Sequence, residues 1–184
     1  MKFKPIKLEG ERVVLKKLNV EDAQAVKAML NDKEVTKYMY RMSYPYQIGH
    51  ARELIRSSWD MGEGYGLGIS LKDSNELIGY IGFHSIGKVD DYKSAGLEYW
   101  IGRKHWGKGY AKEAVTAFLE HGFKKMKLQN VHAKVFSPNR ASMGLLEKLG
   151  FQEKSRSTHH EHCRFENIWM DEICYELPRK RWKK

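Results

Sequence analysis

Cysteine, proline and long apolar runs are all scarce in this chain, and each scarcity excludes something. Only Cys163 and Cys174 occur among 184 residues. They are too few for a disulfide framework and too far apart for a CxxC redox or zinc motif, so a reducing, cytoplasmic setting is expected. No run approaches the ~18 consecutive apolar residues of a membrane span, and the opening Met1-Lys2-Phe3-Lys4-Pro5 has charge but no apolar stretch behind it. Neither membrane insertion nor standard export is expected. The four prolines, Pro5, Pro45, Pro138 and Pro178, do not cluster into a linker, and there is no repeat or low-complexity segment. A single domain over residues 6–177, followed by a basic tail over 178–184, is the organisation these absences suggest.

What is present is a core. Hydrophobic residues make up 41% of the chain and aromatic residues 12%, and a chain of this length buries roughly 70% of its unfolded surface without staples. Lys and Arg outnumber Asp and Glu by 33 to 23, a formal charge of +10. Such an excess invites an anionic partner, whether nucleic acid, a membrane surface, a ribosome or a phosphate-bearing small molecule. It is not spread evenly: residues 103–112 carry +4 and residues 179–184 carry +5, leaving 24 bases against 23 acids elsewhere.

Periodicity supplies the elements. Residues 12–18 alternate as a strand, and Asn19 then caps a helix whose first turn holds Glu21 and Asp22, as a helix dipole prefers. Ala23, Val26, Met29 and Leu30 form its apolar face. A second helix over 47–61 places Ile48, Ala51, Leu54, Ile55 and Trp59 on one side. Residues 65–71 and 77–83 read as a hairpin and 97–101 as a further strand. From Tyr110 to Met126 apolar or small residues recur at three-four spacing, the most regular helix in the sequence. A strand over 131–136, a short helix over 141–149 ended by Gly150, and two final strands complete a mixed α/β domain.

Between the strand ending at Ile101 and the long helix runs Gly102-Arg103-Lys104-His105-Trp106-Gly107-Lys108-Gly109-Tyr110-Ala111. A glycine-bearing turn that opens a helix directs free backbone N–H groups and the positive end of the dipole at one point, which suits a pyrophosphate. Arg103, Lys104, Lys108 and Lys112 add positive charge. The turn is neither a P-loop nor a G-x-G-x-x-G fingerprint, and two glycines in such a turn are common in loops that bind nothing.

Four blocks in order, Tyr99-Trp100-Ile101, Trp106-Gly107-Lys108-Gly109-Tyr110-Ala111, Asn139-Arg140-Ala141-Ser142 and Leu145-Leu146-Glu147-Lys148-Leu149-Gly150-Phe151, resemble the GNAT superfamily of acyl-CoA-dependent N-acetyltransferases. Within it the chain looks most like the RimJ/RimL branch of ribosomal-protein N-terminal acetyltransferases. Leu8-Glu9-Gly10-Glu11-Arg12-Val13-Val14-Leu15 is similar to that branch's first strand, and Asn167-Ile168-Trp169-Met170-Asp171 to its last turn and strand. The resemblance implies a central mixed, mainly antiparallel sheet of about six to seven strands, flanked by helices and splayed at the acyl-CoA site. It implies acetyl-CoA as cosubstrate, no metal, and a monomer or homodimer.

Laid onto these residues, the resemblance puts the branch's phosphate signature on Trp106, Gly109 and Ala111, with a departure at its first position. Backbone amides of Gly107, Lys108, Gly109, Tyr110 and Ala111 would hold the pyrophosphate, and Trp100, Ile101 and Gly102 would face the pantetheine arm, whose amides pair with a free strand edge. Asn139 would touch the cofactor and Ser142 would protonate the departing thiolate. Asn139 is equally a good helix N-cap and Ser142 an ordinary first-turn residue.

Acyl transfer needs a neutral amine. An α-amino group, with a pKa of about 7.7–8, is nearly so, whereas a lysine at about 10.4 is not. Glu98 is the candidate general base, on the strand beside the reacting centre. The family's usual Glu-Ile/Leu-Gly-Tyr-Trp here reads Gly96-Leu97-Glu98-Tyr99-Trp100, so the carboxylate keeps its face but moves along the strand by about 6.6–6.8 Å. Binding the acceptor ammonium, or pairing with a neighbouring Lys, is the alternative reading of Glu98. His84 is a secondary candidate. The run Thr158-His159-His160-Glu161-His162-Cys163 has the look of a metal tract, but it stands where the family has a variable turn and has no second ligand cluster. The acceptor is expected to be a protein N-terminus; small amines such as polyamines or antibiotics are the enzymatic alternative, and a basic ribosome- or nucleic-acid-binding module using the tail is the non-enzymatic one.

Overall fold

In the computed structural model, residues 6–39, 42–58, 64–89, 92–163 and 168–183 are described, with the side chains of 89, 159–163 and 168 outside that description. The strands form one eight-stranded sheet: β1 Leu8–Glu9, β2 Val13–Lys16, β3 Gly64–Leu71, β4 Leu77–Val89, β5 Tyr92–Ile101, β6 Asn130–Phe136, β7 Gln152–Cys163 and β8 Ile168–Pro178. Their spatial order is β1-β2-β3-β4-β5-β6-β8-β7, and all neighbours are antiparallel except β5 and β6. The eighth strand, beyond the six to seven expected, is the two-residue β1, too short to leave a periodic trace.

Helices cover both faces. On one face lie α4, Tyr110–Lys124, and α5, Arg140–Lys148; Val115, Phe118, Leu119 and Phe123 pack on Ile81, Phe83 and Leu97. Each such fully buried side chain contributes about 1.5–3 kcal/mol of transfer free energy. The opposite face carries α1, Ala23–Leu30, and α3, Ile48–Ser57, whose Val26, Leu30, Ala51 and Ile55 close over Tyr80 and Trp100. A one-turn α2, Lys33–Thr36, lies between them, capped by the Asp32 side chain accepting from the Glu34 amide at 2.9 Å. Trp59, assigned to the second helix, lies outside the described residues.

Two differences from the sequence reading matter for function. Strand β4 extends well past 83 and β5 starts well before 97; their outer halves, His84-Ser85-Ile86-Gly87-Lys88 and Tyr92-Lys93-Ser94, are mostly polar or glycine and carry little apolar alternation. A register shift between His84 and Gly87, with Ser85 at φ 49°, further blurs the alternation. The basic segment after residue 177 joins the fold: Pro178 stands opposite Asn130 in β8, the Arg179 amide donates to the Gln129 carbonyl at 2.8 Å, and the Trp182 ring lies 5.9 Å from Phe123. Among the described residues no helix is long and apolar enough to cross a membrane.

Candidate active site

Parallel strands β5 and β6 meet at three positions only, Ser94 with Asn130, Ala95 with Val131 and Gly96 with His132. Beyond them, residues 97–101 stay paired with β4 while 133–136 stay paired with β8. The two strands diverge, and alternate backbone N–H and C=O groups on the inner edges are left open within the sheet. Unpaired backbone in that position needs a partner, and a ligand carrying its own amides supplies one by strand addition. At the wide end the Gly102 amide donates to the Ile78 carbonyl at 2.8 Å, and the Trp106 indole N–H donates to the Ile101 carbonyl at 2.6 Å, bracing the turn.

That turn leads into α4 through Gly107 at φ 73° and Gly109 at φ 84°. Left-handed backbone at both positions admits glycine at little steric cost and rolls the first amides of α4 outward. Lys108 and Lys112 stay exposed on the loop and first turn. Arg103 and Lys104 turn elsewhere, to Asp32 at 3.8 Å and to Glu76. In their place comes Arg12, from the turn between β1 and β2. Its guanidinium lies 4.8 Å from the Tyr110 ring centroid, and a nitrogen lies 3.3 Å from where a side chain on Gly109 would begin. Glu113, in the first turn of α4, holds it through Nε at 3.2 Å and also accepts the Arg12 and Val13 backbone amides.

On the same face, Tyr99 projects from β5 to α5, where its hydroxyl meets Ser142 Oγ at 2.8 Å. This bond spans the divergence. Burial pushes the Tyr99 phenol up to about 12, against the opposing effect of the Ser142 bond, so it is a neutral proton donor at physiological pH. The Asn139 side chain caps α5 by accepting the Ser142 amide at 3.2 Å.

Across the sheet, Glu98 opens onto a cleft of about 140 Å³ lined by Leu54, Ser57, Ser58, Tyr80 and His84. The carboxylate is accessible from the cleft yet crowded by protein on its other sides. That crowding raises its pKa, while the nearby His84 and a hydrogen bond with Tyr80 pull it back. Gly96, between Glu98 and the cross-strand partner His84, is a close-approach site: a Cβ there would stand 2.2 Å from the imidazole. A second, wider groove of about 840 Å³ continues on this face, lined by Tyr92, Ser94, Asn130, His132, Glu176 and Arg179 among others.

Gly102, Trp106, Gly107, Lys108, Gly109, Tyr110 and Ala111 thus share one loop and helix start, and Ser142 faces the divergence. The side chains of Trp100 and Ile101 are buried in the two cores, which leaves their backbone as the part of the strand edge a ligand could meet. Sequence reasoning passed over Tyr99, although it quoted the block containing it, and Arg12, whose approach to Gly109 bridges 97 residues of chain. The histidine run from His159 to Cys163 belongs to β7, with side chains outside the description, and Asn167 lies outside the described residues altogether. Among the described residues no group of three or more His, Cys, Asp or Glu side chains could hold a metal ion.

Comparison with known proteins converges on one family. The model for the acetyltransferase (GNAT) domain matches residues 12–152. The N-acetyltransferase p20 of Bacillus licheniformis is 35% identical over 150 residues, 80% of this chain and 83% of that protein. The [ribosomal protein uS5]-alanine N-acetyltransferase of Escherichia coli is 25% identical over 129 residues, 70% of this chain and 65% of that one. The structure of Mycobacterium smegmatis RimJ in complex with CoA-disulfide superposes with a TM-score of 0.83 at 18% identity, covering 100% of this chain and 90% of that one.

Proposed function

The chain belongs to the acetyltransferase (GNAT) family, enzymes that use acetyl-CoA, and from that premise we propose that its acceptor is the α-amino group of a protein N-terminus. The observation that carries this reading is the arrangement at the β5–β6 divergence: a hydroxyl pair on one face, Tyr99 with Ser142, and a carboxylate cleft on the other, Glu98. A cleft of about 140 Å³ opening on a face that also carries the wider groove suits a small terminal residue followed by extended chain. The similarity to the uS5-alanine enzyme and the RimJ/RimL-like segments support the same choice.

In this reading the outward amides of residues 107–111, helped by Lys108 and Arg12, hold the pyrophosphate, and the open edge of 100–102 receives the pantetheine amides. Acetyl-CoA supplies the thioester carbonyl. Glu98 takes a proton from the acceptor ammonium, a short transfer because an α-amino group is already close to neutral at physiological pH. A backbone N–H of the open β5 edge donates to the carbonyl oxygen as charge develops there. Tyr99 and Ser142 deliver a proton to the leaving sulfur. No covalent enzyme intermediate is involved. Residues 6–177 form the catalytic unit, its setting is the cytoplasm, and the exposed Arg179, Lys180 and Arg181 are available to an anionic partner such as a ribosome.

The test is an acetyl-CoA assay across N-terminal peptides, polyamines and aminoglycosides, read as CoA thiol release. Peptides should exceed the small amines in kcat/KM by at least about tenfold, a margin of about 1.4 kcal/mol. Equal or greater turnover of a polyamine or aminoglycoside overturns the acceptor assignment.

A further inference from the structure

The chemistry just described leaves one proton without a route. An ammonium R–NH₃⁺ becomes an amide R–NH–acyl as the C–N bond forms and the C–S bond breaks, so two protons leave nitrogen. One ends on the CoA sulfur through Tyr99 and Ser142. The other passes to Glu98, in a cleft of about 140 Å³ that the acceptor itself fills. Before the next turnover Glu98 must give it up, and its exposed side opens into the same cleft, which is covered for as long as the product stays there.

Besides Glu98 the cleft is lined by the phenols of Tyr65 and Tyr80, both held neutral by burial, and by one imidazole, that of His84. Gly82 stands opposite Glu98 and Gly96 opposite His84, so the carboxylate and the imidazole are diagonal neighbours on one face of β4 and β5. The bare Gly96 backbone lets the ring lie against β5, where any side chain would collide with it. On its far side the ring meets His132 at 6.0 Å between centroids, edge to face. His132 in turn lines the groove of about 840 Å³. The three groups Glu98, His84 and His132 therefore form a line from the cleft to the wider groove.

We propose that His84 is the proton exit of the acceptor site, receiving the amine's proton from Glu98 and releasing it by way of His132 to the water of the larger groove. This rests on the reading that Glu98 receives the acceptor's proton. Imidazole can accept on one nitrogen while releasing from the other, which a relay needs. The groups facing the line are Tyr65 from β3, Tyr80 from β4, Gly96 from β5, Ser57 and Ser58 from α3, and Glu176 and Lys134 around His132, while the Ser85 hydroxyl lies 3.2 Å from His84 Nδ1 and leaves Nε2 as its other nitrogen. Burial and the neighbouring His84 lower the His132 pKa, with Lys134 acting the same way and Glu176 opposing, so His132 passes a proton on rather than storing it. His84 is a positioning residue in this scheme, acting through Glu98 and not on the acceptor.

The deciding experiment is the pH profile of kcat for full-length His84→Ala, with the acceptor of best turnover, in the absence and presence of free imidazole. We expect kcat to fall at least about tenfold, KM for acetyl-CoA to stay within about twofold, and the acid limb to move to higher pH because Glu98 loses a neighbour that favours its ionised form. Imidazole should restore several-fold of the loss by entering the space over Gly96, and none in the wild type. Gly96→Ala, which displaces the ring and adds no titratable group, should lower kcat in the same sense. If His84→Ala melts below the assay temperature, His84→Gln is read instead, with the same limb shift expected. A kcat within about twofold of wild type, or a loss with an unmoved acid limb and no imidazole response, overturns the proposal. Failure of Glu98→Gln to slow a wild-type enzyme that turns over normally overturns the base assignment and the relay with it; intact Glu98 dependence with an inert His84→Ala overturns the relay alone.

Discussion

The two faces of the sheet at the β5–β6 divergence are built from different materials. The α4–α5 face is made of backbone: outward amides of a helix start, an open strand edge, two glycines at positive φ, with Tyr99 and Ser142 as side-chain additions. The α1–α3 face is made of side chains in register: Glu98, His84 and Tyr80 brought together by pairing across β4 and β5. Backbone sites tolerate exchange of the residues around them but not of the glycines that shape them. Side-chain sites behave the other way, since each group carries its own chemistry. A cosubstrate common to a whole family fits the first kind of site, and an acceptor that varies between relatives fits the second.

Substitutions should separate the two faces. The largest effect is expected from Glu98→Gln, which removes the proposed base while leaving the loop intact: kcat should fall about 10²–10⁴-fold with CoA affinity, measured by calorimetry, unchanged. In the wild type the acid limb of kcat against pH should lie above the ordinary carboxylate range, because burial raises the Glu98 pKa. Gly109→Glu should do the opposite on the other face. It forces a side chain onto φ 84° and sets a negative charge at the proposed phosphate site, and CoA binding should weaken at least about 100-fold, or about 2.7 kcal/mol. Ser142→Ala should lower kcat about tenfold, with a much smaller change in CoA affinity, since Tyr99 loses its partner but the loop keeps its amides. The smallest effect is on stability. A carboxyl whose folded pKa is raised adds stability below its unfolded pKa of about 4, and that contribution is lost as pH rises through the folded value. Glu98→Gln should therefore melt slightly higher than wild type at neutral pH, by less than about 2 °C, and the difference should shrink in acid.

The same division explains what could be read before any coordinates. The glycine turn of 102–111, the apolar stripe of α4 and the Asn139 cap are local: each depends on residues within a turn or two of one another, so spacing reveals them. The stripe of α4 has its buried residues at Ala114, Val115, Phe118, Leu119, Gly122 and Phe123 as the periodicity predicts. Arg12 over Tyr110 and Tyr99 on Ser142 are not local. They join positions 98 and 43 residues apart, and nothing in the spacing of an arginine or a tyrosine announces its partner. The extent of β4 and β5 was missed for a related reason. Their outer halves are mostly polar or glycine and so lack the apolar alternation by which strands are recognised.

Charge makes the point once more. The clusters at 103–112 and 179–184 stand out in the linear chain, and proximity along it suggests that each acts as a unit. In the folded protein Arg103 and Lys104 are turned to Asp32 and Glu76, and Arg12 arrives from a distant turn to stand beside Gly109. The segment at 179–183 is anchored by Trp182 against Phe123. Composition and periodicity decided the class of fold and the position of the glycine turn, and four short motif blocks carried the family resemblance, because short-range sterics and hydrophobic spacing act along the chain. Which side chains face one another across the β5–β6 divergence was settled by strand register and by the parting of two parallel strands after three pairs. Those are properties of how segments far apart in sequence share backbone hydrogen bonds, and no local stretch of residues encodes them.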